Sequence, residues 1–540
     1  MDPPAPPPSL SILSTYISIV KSSFLPFLPS CLCPSSSPPP PHQHVPSLDG
    51  VRSLSLLWVI SFHTQFFLGG MYSHKSANLL HETCSKTLLC RPLLNGHVGV
   101  DAFFVLSGLL VIHNLLYDLY LRQPSPTSAS IRCRLLAKFA VKRFFRIAPL
   151  FYFTFSVYCT AASLISGGVK RCDSLALVSQ SLLFYQNLVP LDQQCMAWGW
   201  TVSIEVQFYL LAPLLLLLPS AVPSLVPPRG SPSKLLITTA ALLLIPLLLS
   251  LQSRFATASS YTPPLDTAVL DLTAHDTGNY YFDKMYAGTS TRIFSCFMGG
   301  IAGCLVVAIR EFSPPSPRHA RNFKALFDSL SFVLLFLVVK CVVFADSASQ
   351  ESAWLAAGGT KVGFLVWARV LYAAAIAGLM VALAGADVMG RKVGEEGEKA
   401  HCISPLNILS LPTLLLTPSR YLPLPGPSTH LLSYAMFLLH PLLVNGWYIL
   451  VTPQPGNFIT EYILEKEGIW TGLLAINVGI TYVVSVGVHA TVERPFHEVG
   501  VFVIRRMVGD GGGGTEMENY GEEGEVLLDD KEDRIGHAEL

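Results

Sequence analysis

Long apolar segments alternate with shorter polar stretches along most of the chain. Each apolar segment is close to the roughly 20 residues that a helix needs to cross a bilayer. The pattern therefore predicts an all-α fold, a polytopic integral membrane helix bundle of about ten transmembrane helices. The expected spans are 51–71, 98–119, 144–166, 201–219, 234–252, 291–310, 327–346, 362–386, 430–451 and 469–491. A further apolar stretch at 403–418 is short and broken by prolines, so it is not expected to span.

Composition divides the chain into three regions. Residues 1–46 are rich in proline, and Pro26 and Pro29 break their mildly apolar part, which predicts a disordered or surface-lying arm rather than a cleaved signal peptide. Residues 47–500 hold all ten predicted spans and form the expected transmembrane domain. Residues 501–540 are acidic and glycine-rich, with too few apolar side chains to fold alone, which predicts a disordered tail.

The overall composition is typical of a membrane protein. Hydrophobic residues make up 51% of the chain and charged residues 13%, whereas soluble globular proteins carry about 25% charged residues. The formal net charge is zero, so no broad basic surface is available to bind nucleic acid. The 12 cysteines lack the spacing of zinc ligands, and no metal site is expected.

Loop charge predicts the orientation of the spans, because lysine and arginine are retained on the cytoplasmic side of a membrane. The loop 120–146 is strongly basic and contains no acid, so it is expected to be cytoplasmic, together with 310–325. Alternation then places the acidic loops 253–290 and 452–468 on the outer side and both termini in the cytoplasm. The expected membrane is the endoplasmic reticulum or the plasma membrane.

The first predicted span carries two ionisable residues, in SLDGVRSLSLLWVISFHTQFF. Arg52 and His63 are close to three helical turns apart, so both lie on one helix face, about 16 Å from each other along the axis. An ionisable side chain within a membrane is costly unless it faces a polar interior, and it therefore indicates a functional site. Two plainer interpretations stay open: Arg52 reaches the lipid phosphates, and His63 hydrogen-bonds a neighbouring helix.

Other predicted spans carry a similar set of polar residues in recognisable segments. The segments are GHVGVDAFFVLSG with Asp101, VKRFFRIAP with Arg143 and Arg146, WGWTVSIEVQFYL with Glu205, and SYAMFLLHPLL with His440. Together with the Arg52–His63 spacing, and in this order, they resemble the membrane-bound acyltransferase type 3 family over residues 48–496. The segment YFDKMYAGTSTRIFSCFMGG, which contains Arg292, is similar to the eukaryotic nose-resistant-to-fluoxetine branch of that family.

The resemblance implies an enzyme that transfers an acyl group, often acetyl. Its donor would be acyl-coenzyme A, used as a cosubstrate, and no tightly bound cofactor is expected. Its acceptor would be a hydroxyl group of a carbohydrate or of a lipid-linked molecule. The expected partners are therefore this donor, this acceptor and membrane lipids.

The same resemblance suggests roles for individual residues. An acceptor hydroxyl needs a base that works near neutral pH, and histidine is the usual choice. His63 is expected either to remove the acceptor proton or to carry the acyl group transiently, with Arg52 and Glu205 as further catalytic residues. Glu205 would orient or polarise the base, and a structural ion pair is the alternative. Arg143 and Arg146 would hold the coenzyme A phosphates through their guanidinium groups; ordinary positive-inside residues are the alternative.

Four residues are expected to bind the acceptor: Asp101, Arg292, Arg369 and His440. Each has a structural alternative. Asp101 is well suited to cap its helix, and Arg292 to reach the membrane interface. For Arg369 the alternative is a buried salt bridge, and for His440 it is a structural hydrogen bond.

Four cysteines fall on the predicted outer side, where an oxidising compartment would pair them. The expected disulfides are Cys84–Cys90 and Cys172–Cys195. An unpaired structural role is the alternative.

A transporter or lipid-handling protein is the main rival function, since buried arginine, histidine and glutamate also suit a solute-coupled carrier. The Arg52–His63 spacing and the Glu205 segment favour the enzyme, as does the lack of visible sequence repeats. A third possibility is a scaffold that has lost catalysis. The presence of Arg52, His63 and Glu205 argues against it.

Overall fold

The computed structural model describes residues 15–21, 45–70, 91–121, 129–164, 172–221, 232–260, 281–312, 316–343, 353–394, 429–451 and 467–509. Within these ranges every regular element is helical, which confirms the predicted all-α class. Lipid offers no hydrogen-bond partners to the backbone, so a spanning segment must satisfy its own N–H and C=O groups, as a helix does.

The main helices of the described residues are labelled here in chain order. They are α1 (Pro46–Gly70), α2 (Gly99–Leu116), α3 (Ala129–Leu164), α4 (Trp200–Ala221), α5 (Pro232–Ser259), α6 (Phe294–Glu311), α7 (Pro317–Val338), α8 (Lys361–Gly394), α9 (Thr429–Val451), α10 (Glu467–Val488) and α11 (Arg494–Gly509). Shorter helices cover Arg91–Asn95, Leu175–Leu182 and Thr289–Arg292.

Eight helical segments of the described chain are long and apolar enough to cross a membrane. They are Gly96–Leu121, Ile131–Leu164, Ala197–Leu217, Pro232–Ser259, Phe294–Glu311, Arg318–Val343, Lys361–Arg391 and Gly472–Met507. The predicted spans 51–71 and 430–451 form α1 and α9, which are helical but are not among these eight. The chain is therefore a multi-pass helical membrane protein, and the total of ten spans stays a prediction. The stretch 403–418 lies outside the described residues.

Two helices extend beyond the spans expected from hydropathy. α3 begins at Ala129, well before the predicted start at 144, because its basic first half is helical although it is not apolar. At the other end of the chain α11 runs to Gly509, past the expected domain boundary at 500. The remainder of the expected tail lies outside the described residues.

Helix α2 forms the centre of the bundle, and most of its side chains are buried. It packs against α6 so closely that the two backbones touch. A Cβ atom added at Gly108 would overlap the carbonyl oxygen of Cys296, and one added at Gly299 would overlap the carbonyl oxygen of Val105. Small residues at such crossings let membrane helices approach closely. The crossing fixes α2, which carries Asp101, relative to α6.

We expect Gly299→Ala to lower the stability of the folded protein by about 1–3 kcal/mol, because a new methyl group must separate two packed backbones. Gly479→Ala is the matched control, since a Cβ at this exposed position on α10 meets no atom within 4 Å. The measurement is the temperature at which each variant, heated in detergent, has lost half of its monodisperse gel-filtration peak. An equal midpoint for the two variants would contradict the tight α2–α6 crossing.

Helix α1 is held against α9 and α10 by a buried hydrogen-bond network. The Nδ2 group of Asn477 donates to the Thr64 hydroxyl at 3.0 Å and to the Tyr448 hydroxyl at 2.9 Å. The Tyr448 hydroxyl in turn donates to the Thr64 carbonyl oxygen at 3.2 Å. Because Thr64 follows His63 directly, this network fixes the part of α1 that carries the histidine.

Candidate functional site

Two histidines from different helices form a hydrogen-bonded pair. The Nδ1 atom of His63 on α1 lies 3.0 Å from the Nε2 atom of His440 on α9. His63 Nδ1 also lies 3.1 Å from the carbonyl oxygen of Val59, and His440 Nδ1 lies 3.1 Å from that of Met436. The two histidines were predicted in separate roles, one catalytic and one in acceptor binding, and the fold places them side by side.

The surroundings of the two imidazoles differ. His440 is only 1% exposed, whereas His63 is partly exposed. The rings of Phe62 and Phe67 flank His63, with centroids 5.2 and 5.3 Å from that of the imidazole. Within the described residues, Nε2 of His63 has no hydrogen-bond partner. This nitrogen is therefore open to a molecule that reaches it.

Arg52 lies at the opposite end of α1 from His63. Eleven residues of helix separate the two by about 16 Å along the axis. Arg52 forms an ion pair with Asp49 at 3.7 Å, and it makes none of the described contacts of His63. Arg52 therefore lies on the same helix as His63 but about three turns away from the histidine pair.

Glu205 is the centre of a second polar cluster, which joins α4 to α2. The hydroxyl of Ser107 donates to Glu205 Oε1 at 2.7 Å, and the hydroxyl of Tyr209 donates to the same oxygen. The two hydroxyl groups are 2.9 Å apart. Glu205 and Ser107 are both partly exposed, although they lie within the bundle. The carboxylate is therefore held by two donors and makes no described contact with His63.

The cluster continues to α3 through the ring of Tyr209. The guanidinium carbon of Arg143 lies 5.0 Å from the centroid of this ring and 5.5 Å from that of Phe139, both within the range of cation–π attraction. Arg146 is three residues further along α3, on a neighbouring position of the helix surface, and is half-buried. Two cationic side chains are thus brought to the same region as Glu205.

Three of the residues predicted to bind an acceptor form one buried ion cluster. Arg292 approaches Asp101 at 2.9 Å, and Arg369 approaches the other carboxylate oxygen at 2.9 Å. The hydroxyl of Ser295 donates to Asp101 at 3.0 Å. None of the three charged residues is more than 7% exposed. The cluster ties α2 to the start of α6 and to α8.

Tyr286 stabilises this ion cluster further. Its ring centroid lies 5.0 Å from the guanidinium carbon of Arg292 and 4.8 Å from that of Arg369. Its hydroxyl donates to the carbonyl oxygen of His97 at 3.1 Å. The imidazole of His97 lies between the rings of Tyr286 and Phe62, at 6.3 and 5.5 Å, so it connects the ion cluster to the neighbourhood of His63. Sequence reasoning overlooked His97, although it stands four residues before Asp101.

Arg254 is a further buried cation that sequence reasoning missed. Its guanidinium group donates to the carbonyl oxygens of Leu365 at 2.7 Å, Val366 at 3.3 Å, Met285 at 3.2 Å and Thr291 at 3.4 Å. The predicted span ended at 252, which left Arg254 in a loop. In the structure α5 continues to Ser259, so the arginine belongs to the helix and is 1% exposed.

One of the two expected disulfides falls within the described residues. Cys172 and Cys195 are linked, with Cα atoms 5.4 Å apart, and the bond anchors the segment that leads into α4 and Glu205. The free Cys159 lies beside them, its sulfur within 4.8 Å of theirs. Cys84 and Cys90 lie outside the described residues.

Comparison with known families gives this arrangement a context. The model of an acyltransferase domain, of the acyltransferase 3 family, matches residues 45–488. This range contains both histidines, the Glu205 cluster and the buried ion cluster. No solved structure matches the chain.

Three curated relatives illustrate the likeness. Nose resistant to fluoxetine protein 6 of Caenorhabditis elegans is 26% identical over 191 residues, which cover 32% of this chain and 22% of that protein. A peptidoglycan O-acetyltransferase of Listeria monocytogenes is 25% identical over 327 residues, 59% of this chain and 42% of the relative. A putative peptidoglycan O-acetyltransferase of Bacillus subtilis is 24% identical over 321 residues, which cover 56% of this chain and 40% of the relative. The chain spans less than half the length of these relatives.

Proposed function

The chain belongs to the acyltransferase 3 family, and on that premise we propose that it is a membrane-embedded O-acyltransferase. It moves an acyl group, in the first instance acetyl, from acyl-coenzyme A to a hydroxyl group of a carbohydrate or lipid-type acceptor. The observation that carries the proposal is the state of His63. It is a partly exposed imidazole within the helical bundle, held through Nδ1 and unengaged at Nε2 among the described residues.

His63 supplies the base in this reaction. Its Nε2 takes the proton of the acceptor hydroxyl as that oxygen attacks the thioester carbonyl carbon. The carbon–sulfur bond breaks, and the proton passes to the departing coenzyme A thiolate. In the covalent variant His63 Nε2 attacks the thioester carbonyl carbon first and expels the coenzyme A thiolate. The acceptor oxygen then attacks the acyl group on the imidazole, the bond to Nε2 breaks, and the acceptor proton passes to the thiolate. Both routes use the same nitrogen.

The arginines form the part of the site that binds the donor. Arg52 lies about 16 Å from His63 along α1, a separation that suits a donor whose phosphates and thioester stand at the two ends of an extended arm. Arg143 and Arg146 add two guanidinium groups, which favour phosphate oxygens. Glu205 acts through Tyr209, because the carboxylate holds the hydroxyl of the ring against which Arg143 packs.

The acceptor approaches His63 from the other side of the membrane. In the orientation that loop charge predicts, the arginine end is cytoplasmic, as are both termini, in the endoplasmic reticulum or the plasma membrane. Two relatives bear the name of peptidoglycan O-acetyltransferases, which supports a carbohydrate hydroxyl as the acceptor. The charges of Asp101, Arg292 and Arg369 pair with one another. The role of this cluster is therefore chiefly structural: it holds together the helices on the side from which the acceptor approaches.

The decisive experiment uses the full chain in sealed vesicles and compares two labelled donors, acetyl-coenzyme A and acetyl-pantetheine, which lacks the phosphates. We expect turnover of both, with a KM at least about tenfold lower for acetyl-coenzyme A, since charge-assisted hydrogen bonds contribute about 1.5–3 kcal/mol each. Arg143→Gln should raise the KM for acetyl-coenzyme A and leave that for acetyl-pantetheine unchanged. The readout is free thiol released per enzyme.

Arg134→Gln is the matched control, because Arg134 lies on the same helix but is exposed. This variant should behave like the wild type with both donors. If folded protein consumed no thioester with acyl chains from acetyl to palmitoyl, the enzyme proposal would be wrong and a transporter would become the better explanation.

A further inference from the structure

We propose that His440 is a positioning residue that fixes the tautomer of His63 and stabilises its protonated form. This role replaces direct acceptor binding by His440, and it rests on the proposed function of His63 as the base. It follows from the hydrogen-bond directions that the two imidazoles and two backbone carbonyl groups permit.

The hydrogen bond of His440 to the backbone fixes the position of its own proton. Its Nδ1 lies 3.1 Å from the carbonyl oxygen of Met436. A carbonyl oxygen only accepts hydrogen bonds, so Nδ1 of His440 must carry the proton. The neutral ring then has a bare lone pair at Nε2, the atom that faces His63.

The tautomer of His440 in turn fixes the position of the proton on His63. Nε2 of His440 lies 3.0 Å from Nδ1 of His63, and a bare nitrogen must accept in this contact. Nδ1 of His63 therefore carries a proton, which it shares with the carbonyl oxygen of Val59 at 3.1 Å. The carbonyl oxygen of Val59 and the Nε2 atom of His440 are both acceptors, so each contact requires the proton to be on Nδ1 of His63. His63 consequently presents an unprotonated Nε2, the form that works as a base or nucleophile.

The local sequence holds His440 in this position. Pro441 has no N–H group, so the helix has no backbone donor for the carbonyl of Phe437 in the preceding turn. The indole nitrogen of Trp198 donates to the carbonyl oxygen of Leu438 at 3.2 Å and ties the same turn to the start of α4. His440 is also 1% exposed, which leaves its ring little freedom to turn.

The arrangement matters most during the reaction. When Nε2 of His63 accepts a proton the ring becomes cationic, and its Nδ1–H bond to His440 becomes charge-assisted and stronger. A third group that orients the base and supports its charge is a recurring feature of nucleophilic catalysis. Both ring nitrogens of His440 are occupied, by Met436 and by His63, so neither remains to bind an acceptor.

A matched pair of amide variants tests the proposal in the vesicle assay. The glutamine amide in His440→Gln reaches the place of Nε2 and can still accept from His63, whereas the shorter amide in His440→Asn reaches only the place of Nδ1. We expect His440→Asn to lower kcat by about a hundredfold with KM for donor and acceptor within twofold of the wild type. His440→Gln should stay within about tenfold of the wild-type kcat.

The tautomer itself is measured by nitrogen NMR of histidine-labelled protein, with His63→Ala identifying the signals. The wild type should show a protonated Nδ1 and a bare Nε2 on His63, and His440→Asn should show a mixture. The opposite tautomer in the wild type would overturn the proposal. So would a loss confined to the acceptor KM, or equal kcat in all three proteins. An inactive wild type would instead refute the proposed function, while the NMR result would still decide the tautomer.

Discussion

His63→Ala is expected to lower acyl transfer by about 10²–10⁴-fold, with the folded protein intact. This range is what a general base contributes, and the loss is larger if the imidazole also carries the acyl group. The fold is expected to tolerate alanine, because His63 is partly exposed and its side chain takes no part in the buried hydrogen-bond network around Thr64. The measurement is release of coenzyme A from acetyl-coenzyme A in the presence of acceptor, with gel filtration in detergent to verify folding.

His319→Ala is the control for this prediction, since His319 is exposed on α7 and far in sequence from the histidine pair. It should retain wild-type turnover. A second arm omits the acceptor and follows labelled acetyl on the protein, which separates a transient acyl-imidazole from a simple base. Normal turnover in His63→Ala would remove this residue from the mechanism altogether.

The largest expected effect on stability comes from Asp101→Asn. This change leaves Arg292 and Arg369 without the carboxylate that both contact, and neither arginine is more than 7% exposed. Removing one partner of a buried ion pair typically costs about 3–5 kcal/mol. We expect most of the variant to be lost as aggregate during extraction, measured as the monodisperse fraction in detergent relative to total protein.

Two comparisons distinguish uncompensated buried charge from other causes of the expected aggregation. Asp173→Asn makes the same chemical change at an exposed position and should extract like the wild type. Adding Arg369→Met to Asp101→Asn removes one uncompensated cation, so the double variant should recover part of the monodisperse fraction. Recovery would be absent if Asp101 served only as a helix cap, and normal extraction of Asp101→Asn would contradict the buried cluster.

The helical class could be predicted from sequence because it depends on local composition. A run of apolar residues entering lipid must form its backbone hydrogen bonds within itself, so apolar length alone indicates a helix. The ends of helices follow other rules. α3 continues through the basic stretch that begins at Ala129, and α5 continues past 252 to include Arg254, because packing stabilises helical turns that hydropathy does not recognise.

The partners of the polar residues could not be predicted in the same way. His63 and His440 are 377 residues apart, and no local pattern encodes which helices meet. The spacing of Arg52 and His63 predicts that both lie on one face of α1, because α1 is one helix from Pro46 to Gly70. The contacts of Asp101 depend instead on two arginines from distant helices. The sequence was equally compatible with a helix cap and an acceptor ligand at Asp101, and a salt bridge was expected only as an alternative for Arg369.

The buried ion cluster also has a consequence for how the protein is made. Asp101 leaves the ribosome 191 residues before Arg292 and 268 residues before Arg369. Arg369 lies within α8, and Arg292 lies just before α6. An arginine at the centre of a lone inserted helix costs about 2.5–3.5 kcal/mol, and an ion pair with an acid made earlier in synthesis offsets part of such a cost. The carboxylate of Asp101 therefore has neither arginine partner until the later segments have been synthesised.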